Sequence, residues 1–243
     1  AMEEKDSDYF FGREEKTVEV IKSLATASGQ LLILFGNSGV GKSSVVQAGV
    51  LAALKRQAWP EHADVAPEWP DVFRESRRWC FLTLKPGVEP VRALVEPFLW
   101  IWQFDAVDPQ RAELLSSWVS KLIDGKVTLR DLLDATEARY RDALHQPKPP
   151  AFLLYIDQGE ELYVRAEEHQ RRRFSEVIAQ EVADQRLHML MSMRSDFLGE
   201  LQKDEPLFKV HRKIDVPPLR EPELRQVVSR PAQLLSARFE TAE

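Results

Sequence analysis

Short, unbroken apolar runs alternate with longer amphipathic stretches along this chain. Runs at 31–35, 79–84, 152–156 and 188–193 are the length of strands, with no polar partner every second residue, which predicts strands buried on both faces. A shorter run at 213–216 predicts a fifth. Between them the apolar spacing changes to that of helices. Val18, Ile21, Leu24 and Ala25 share one face of a helix predicted over 14–27, with acids in its first turn. Val45, Val46, Ala48, Val50, Leu51 and Leu54 define a second, and further helices are predicted over 90–102, 109–123, 128–144, 167–183 and from Pro222 onward. Residues 58–70 hold three prolines and two tryptophans without a period and read as a long surface loop. Three prolines in 145–150 make a stiff spacer into the third run. Strands alternating with helices predict an α/β fold, a parallel sheet covered on both faces.

The junction between the first strand and its helix carries the chemistry. Gly36-Asn37-Ser38-Gly39-Val40-Gly41-Lys42-Ser43-Ser44 fits G-x-x-x-x-G-K-S in its strand-loop-helix setting. The glycines let successive N–H groups turn inward, making an anion cradle at a helix N-terminus. Lys42 can then reach β- and γ-phosphates and the Ser43 hydroxyl can ligate Mg²⁺. The run 152–156 ends in Asp157, the expected second group of a Mg²⁺ shell. Hydrolysis also needs a group to deprotonate water. Gln158 stands where many ATPases carry that glutamate, and Glu160 and Glu161 follow, of which one can point back at the nucleotide. Glu161 is the slightly favoured choice, against a reading of both as helix-start acids. Arg194, just past the fourth run, faces a γ-phosphate if that strand lies between those of the loop and of Asp157; the competing reading is a salt bridge with Asp196. Arg171-Arg172-Arg173 diverge around a helix beside Glu167, Glu168 and Glu176, which reads as a solvated face and not a nucleic-acid site.

Bulk properties narrow the field. The 243 residues, 44% hydrophobic, can bury one sizeable core plus a small subdomain. Against 33 basic residues stand 39 acidic ones, for a net charge of −6, which argues against general nucleic-acid binding. Glu96 and Pro97 interrupt the best candidate for a membrane span. The single cysteine, Cys80, reads as an inert core thiol, and the five histidines lack ligand spacing for zinc. Ala1 ahead of Met2 reads as a cleavage scar, and the uncapped final helical segment, with Leu224, Val227, Leu234, Leu235 and Phe239 wanting cover, as a longer protein cut short.

Several segments together resemble the STAND class of signal-transduction NTPases, in particular the bacterial novel-STAND branch often fused to WD-type repeats. They are the opening Phe10-Phe11-Gly12-Arg13-Glu14, the loop from Gly36 to Ser44, Gln47 to Leu51, the Pro86-Gly87 turn, Asp157-Gln158-Gly159-Glu160-Glu161-Leu162, Arg194-Ser195-Asp196-Phe197 and Arg230-Pro231-Ala232. The resemblance covers about residues 8–240 in order. It implies a three-layer P-loop NTPase sandwich with a five-stranded parallel sheet ordered 5-1-4-3-2. Residues 1–219 would be the nucleotide-binding domain, and 220–243 the beginning of a helical lid. Phe11, Gly12 and Arg13 would line the adenine pocket. A Gly-x-Pro element that contacts adenine in related ATPases would be Ser229-Arg230-Pro231, with serine for glycine, and Gly159 stands where the family has an aromatic.

The resemblance implies a cytoplasmic, ATP-binding and slowly hydrolysing switch. It would exchange ADP for ATP with Mg²⁺, sit fused to effector and sensor domains, and assemble with further copies in the ATP state. ATP is preferred over GTP by resemblance, since no Asn-Lys-x-Asp guanine motif occurs. Two alternatives are a module that reads ADP against ATP without hydrolysis, and an AAA+-type DNA-associated ATPase, which the net charge disfavours.

Overall fold

The strands form where the apolar runs lie: β1 Leu31–Gly36, β2 Cys80–Leu84, β3 Phe152–Ile156, β4 Leu187–Arg194 and β5 His211–Asp215. In this computed structural model, which describes residues 2, 10–61, 63, 68–102 and 109–234, they make one parallel sheet ordered β2-β3-β4-β1-β5. That is the predicted 5-1-4-3-2 read from the other edge. Asp8, Tyr9, residues 62 and 64–67 of the predicted loop, Leu235 and Phe239 lie outside the described residues.

The helices in chain order are α1 (Glu14–Ala25), α2 (Lys42–Ser44, continued by a π-helical stretch Val45–Leu51 and by Ala52–Arg56), α3 (Pro90–Ile101), α4 (Pro109–Ile123), α5 (Leu129–Asp142), α6 (Glu161–Val164), α7 (Glu168–Glu181), α8 (Leu198–Lys203), α9 (Glu205–Val210) and α10 (Glu221–Leu234). Strand alternation divides them into two layers. Leu31, Ile33 and Phe35 of β1, with Phe152, Leu154 and Ile156 of β3, face one way and pack under Phe98, Leu132 and Phe174 of α3, α5 and α7. Leu32, Leu34, Leu153 and Tyr155 face the other way, under Ile21 of α1 and Val46 and Val50 of α2. Each fully buried Leu, Ile or Phe contributes roughly 1.5–3 kcal/mol, so both faces must be covered for the sheet to persist. α1 crosses α2 at Gly49, where a Cβ would stand 2.4 Å from Thr17 Oγ1.

The structure departs from the sequence reading where periodicity is short. Residues 198–210, unassigned by pattern, form α8 and α9, each six residues long. Two turns are too few for a helical stripe, and Asp204 between them caps the second through Leu207 N. β5 starts at His211 and not at 213, because pairing with β1 defines this exposed edge strand and hydrophobicity does not. The stretch 58–70 is less of a surface loop than expected. Trp59 and Trp69 meet edge to face at 4.9 Å, and Phe73, in a short turn Asp71–Phe73, is fully buried against Trp79. The Cys80 thiol is buried, and that burial pushes it up to about 12.

Candidate nucleotide-binding site

β1 ends at Gly36 and α2 begins at Lys42. The intervening loop turns tightly because Gly39 and Gly41 take left-handed conformations, φ 81° and 89°, that a Cβ would penalise. Gly36 has no room for a side chain: its Cβ would lie 2.6 Å from the Val216 carbonyl. Lys42 folds back along the loop, its Nζ donating to the carbonyls of Gly36 (2.8 Å) and Asn37 (2.9 Å). Burial pushes its ammonium below the ordinary lysine range, and the charge of Glu160 draws it back up.

Asp157, 2% exposed, is the hub beneath this loop. Its Oδ1 accepts from Ser43 Oγ at 2.6 Å, Ser192 Oγ at 2.7 Å and Tyr155 Oη at 2.8 Å. Three hydroxyls on one oxygen fix the carboxylate's orientation, and Lys85 Nζ stands 3.8 Å from Oδ2. Burial, then the Asp157 charge, holds the Tyr155 phenol well above its ordinary value, so it stays a donor. Sequence reading missed Tyr155 and Ser192. The signal was present: Tyr155 lies two residues before Asp157 on the same strand face, and Ser192 is the polar break in an apolar run. Parallel register, with Ile156 opposite Met191, then puts Ser192 beside Asp157.

The chain leaves Asp157 by an unusual turn. Gln158 takes a left-handed φ of 56°, rare for a residue with a side chain, held by Gln158 N to Ser192 Oγ (3.0 Å) and Gly159 N to Ser192 O (2.7 Å). A Cβ on Gly159 would lie 2.6 Å from Met191 Sδ, so the methionine packs into the space that the glycine leaves. This turn separates the two acids. Glu160 lines a cavity over the loop, its Oε2 accepting from Arg194 N at 3.3 Å. Glu161, the favoured choice from sequence, instead accepts from Gly87 N at 3.1 Å and lies 3.5 Å from Arg165. It starts α6 and points toward the Pro86-Gly87 turn, because successive helical residues diverge by about 100°.

A cavity of about 290 Å³ gathers Ser38, Gly39, Gly41, Lys42, Ser43 and Ser44 of the loop with Gln158, Glu160, Ser192 and Arg194. β4 lies between β1 and β3, so its last residue, Arg194, comes to the rim as expected. Its guanidinium is also paired: Nε and Nη2 donate to Asp196 at 3.1 and 2.6 Å. Both sequence readings of Arg194 thus have a counterpart in the fold. The arginine run diverges. Arg171 stands over Tyr163, Arg172 pairs with Glu176 and Arg173 Nε donates to Leu122 O.

Phe11, Gly12, Arg13 and Pro231 do not line this cavity. Arg13, 6% exposed, clamps the loop from behind, its Nη2 donating to Val40 O (2.8 Å) and Pro217 O (2.7 Å), and burial lowers its guanidinium from the ordinary value. Gly12, at φ 79°, lets α10 approach: a Cβ there would meet the Glu223 carbonyl at 2.6 Å. Arg230 lies over the buried Phe11 ring at 5.7 Å and 3.3 Å from Glu14, with half-buried Pro231 next to it in α10.

A glycine loop between strand and helix, a buried lysine over it, and a strand-end aspartate bonded to its serine define a P-loop nucleoside triphosphatase domain. Solved structures agree at the level of the fold. The chain is similar to a Walker-type ATPase of Pyrococcus abyssi (16% identity, TM-score 0.54, 95% of this chain and 60% of that one). It is also similar to the Orc1 protein of Aeropyrum pernix, solved in complex with DNA (14% identity, TM-score 0.50, 93% of this chain and 50% of that one). It therefore spans about half to three fifths of those proteins' length. The chain belongs to the family described as Novel STAND NTPase 1, whose profile matches residues 1–243. No curated protein matches its sequence.

Proposed function

We propose that this chain is an ATP-binding and slowly hydrolysing switch domain that alternates between ADP-held and ATP-held states to control a signalling or defence assembly in the cytoplasm. The observation that carries the reading is one cavity that collects Lys42, Ser43, Glu160 and Arg194 above an aspartate bonded to Ser43. Lys42 would exchange its carbonyl partners for β- and γ-phosphate oxygens. Ser43 and Asp157 are the residues that would hold Mg²⁺, which when bound neutralises charge on those phosphates. The donor set fits that ion. Among the described residues no group of three or more His, Cys, Asp or Glu could cage a metal, and Mg²⁺ is held through one or two protein groups with phosphates and water.

Glu160 is the group assigned to take the proton of the attacking water. Gln158, directly after Asp157, carries an amide that cannot accept it, and Glu161 is engaged at Gly87. Turnover in isolation should fall well below the roughly 10 s⁻¹ typical of enzymes. An arginine from a neighbouring copy in an ATP-state assembly is worth about 10³–10⁵ in rate, and Arg194 at this cavity is tied to Asp196. α10, resting on Gly12 and Glu14, is assigned as the first helix of a lid, with Arg13 linking the segment before it, at Pro217, to the loop. Phe11 and Pro231 would reach adenine only as that seam rearranges. Effector and sensor domains fused to this one complete the switch. No helix among the described residues is long and apolar enough to cross a membrane.

A second reading, nucleotide sensing without hydrolysis, is favoured by the amide of Gln158. The DNA in the Aeropyrum complex raises a third, a DNA-associated ATPase, and the net charge of −6 weighs against it. Single-turnover assays separate the first two. Glu160→Gln should bind ATP and keep it unhydrolysed, while Glu161→Gln should change the rate little. No single-turnover hydrolysis by the wild type would replace the switch by the sensor, and wild-type rates in both variants would remove Glu160 from the role of base.

A further inference from the structure

The pairing of Arg194 bears on how the site tells two nucleotides apart, on the reading above that Arg194 contacts the γ-phosphate. Arg194 is the last residue of β4, and its backbone N is held by Glu160, so its Cα position at the cavity rim is fixed. Its side chain is not. The guanidinium turns to Asp196, in the turn Ser195–Phe197, and lies 5.5 Å from the Phe197 ring. The geometry is the two-pronged fork that arginine offers to a carboxylate or a phosphate alike. Both partners are open to water, with 43% and 59% of their side chains exposed. An ion pair that wet contributes little. It can therefore be given up for a better anion, and a terminal phosphate carries more charge and the same fork-accepting oxygens. Asp196 also stands close enough to the loop for its field to reach Lys42.

We infer that Asp196 is a built-in competitor for the γ-phosphate: it holds Arg194 in a parked position, and ATP must displace it before the arginine can contact the nucleotide. Asp196 is a positioning residue that acts through Arg194. A site whose competent form is only partly populated binds more weakly in proportion. The parked state thus weakens ATP binding and leaves ADP, which has no γ-phosphate for Arg194 to contact, unaffected. The device lowers the ATP-to-ADP preference of the resting domain. It also makes that preference adjustable by anything that reorients the turn Ser195–Phe197.

The test is a double-mutant cycle read as the ratio of ADP to ATP dissociation constants, measured with Mg²⁺ on the full chain by competition against a fluorescent nucleotide. Asp196→Asn keeps the shape and removes the charge. It should tighten ATP roughly two- to five-fold, the worth of an exposed ion pair, with ADP unchanged. On an Arg194→Ala background the same substitution should leave the ratio where it was. Equal tightening of ATP and ADP by Asp196→Asn would mean that the aspartate acts only by repelling phosphate, and would overturn the inference. So would an unchanged ratio in Asp196→Asn while Arg194→Ala still weakens ATP selectively, a result that leaves the switch reading standing. If Arg194→Ala weakens both nucleotides equally or neither, the γ-phosphate role of Arg194 falls and the parked state with it.

Discussion

The two faces of β3 and β4 are made of different chemistry, although both are buried. Toward α3 and α7 the inward positions are Phe152, Leu154, Ile156, Met189, Met191 and Met193, apolar throughout. Toward α2 the apolar residues are interrupted by Tyr155, Ser192 and His188. Those three divide into two groups. Tyr155 and Ser192, at the end of the strands where the phosphate loop sits, converge on Asp157. His188, at the opposite end of β4, packs among rings, stacked on Trp79 at 4.4 Å and edge-on to Phe73 at 5.7 Å. A polar group in a buried strand is thus not by itself a site. It becomes part of one when register carries it to the strand end that holds the ligand-binding loop.

Substitutions on either face should separate stability from binding. Phe152→Ala on the apolar face empties a fully buried position and should cost about 3–5 kcal/mol, read as a lower denaturant midpoint, with the folded fraction still binding ATP normally. Tyr155→Phe removes one of three donors to Asp157 and should do the reverse. Stability should fall by only about 0.5–1.5 kcal/mol, while Mg²⁺-dependent ATP affinity should drop roughly ten-fold, as for lost outer partners of a metal ligand. A Phe152→Ala protein that is fully stable yet fails to bind would erase the distinction between the faces.

His188 sharpens the comparison through pH. Burial holds its folded-state pKa near 4, below its ordinary value of 6.5. The unfolded chain binds the proton more readily, so stability is complete above pH 6.5 and is lost as pH falls from 6.5 toward 4, by ~3 kcal/mol in all. In His188→Leu the acid limb between those values should flatten by about that amount relative to wild type. Nucleotide affinity at neutral pH should not change. Equal acid limbs in the two proteins would mean that the ring is protonated in the fold.

Much of this was legible in the sequence because the relevant signals are local. The unbroken runs at 31–35 and 152–156 read as buried strands by their length and their flanks, and the glycines of 36–41 with Lys42, set between strand and helix, read as a curled loop. Two kinds of information were not local. Tyr155 and Ser192 belong to the site through the register between strands that are far apart in sequence. Which of Glu160 and Glu161 faces the cavity follows the left-handed turn at Gln158, which is not visible in residue types alone. Arg194 shows a limit of another kind. Its position at the rim follows from strand order, but the partner its side chain takes, Asp196 two residues on, does not.

If the loop, Lys42 and the Asp157 hub form one Mg²⁺-nucleotide site, calorimetric titration with ATP, in Mg²⁺ and in EDTA, should separate the wild type from Lys42→Ala. Wild type should bind one ATP, more tightly with Mg²⁺. Lys42→Ala should weaken binding by at least the roughly 1.5–3 kcal/mol of a charged hydrogen bond, with a cooperative melting transition retained. Equal ATP affinity in the two proteins, with or without the metal, would contradict the account.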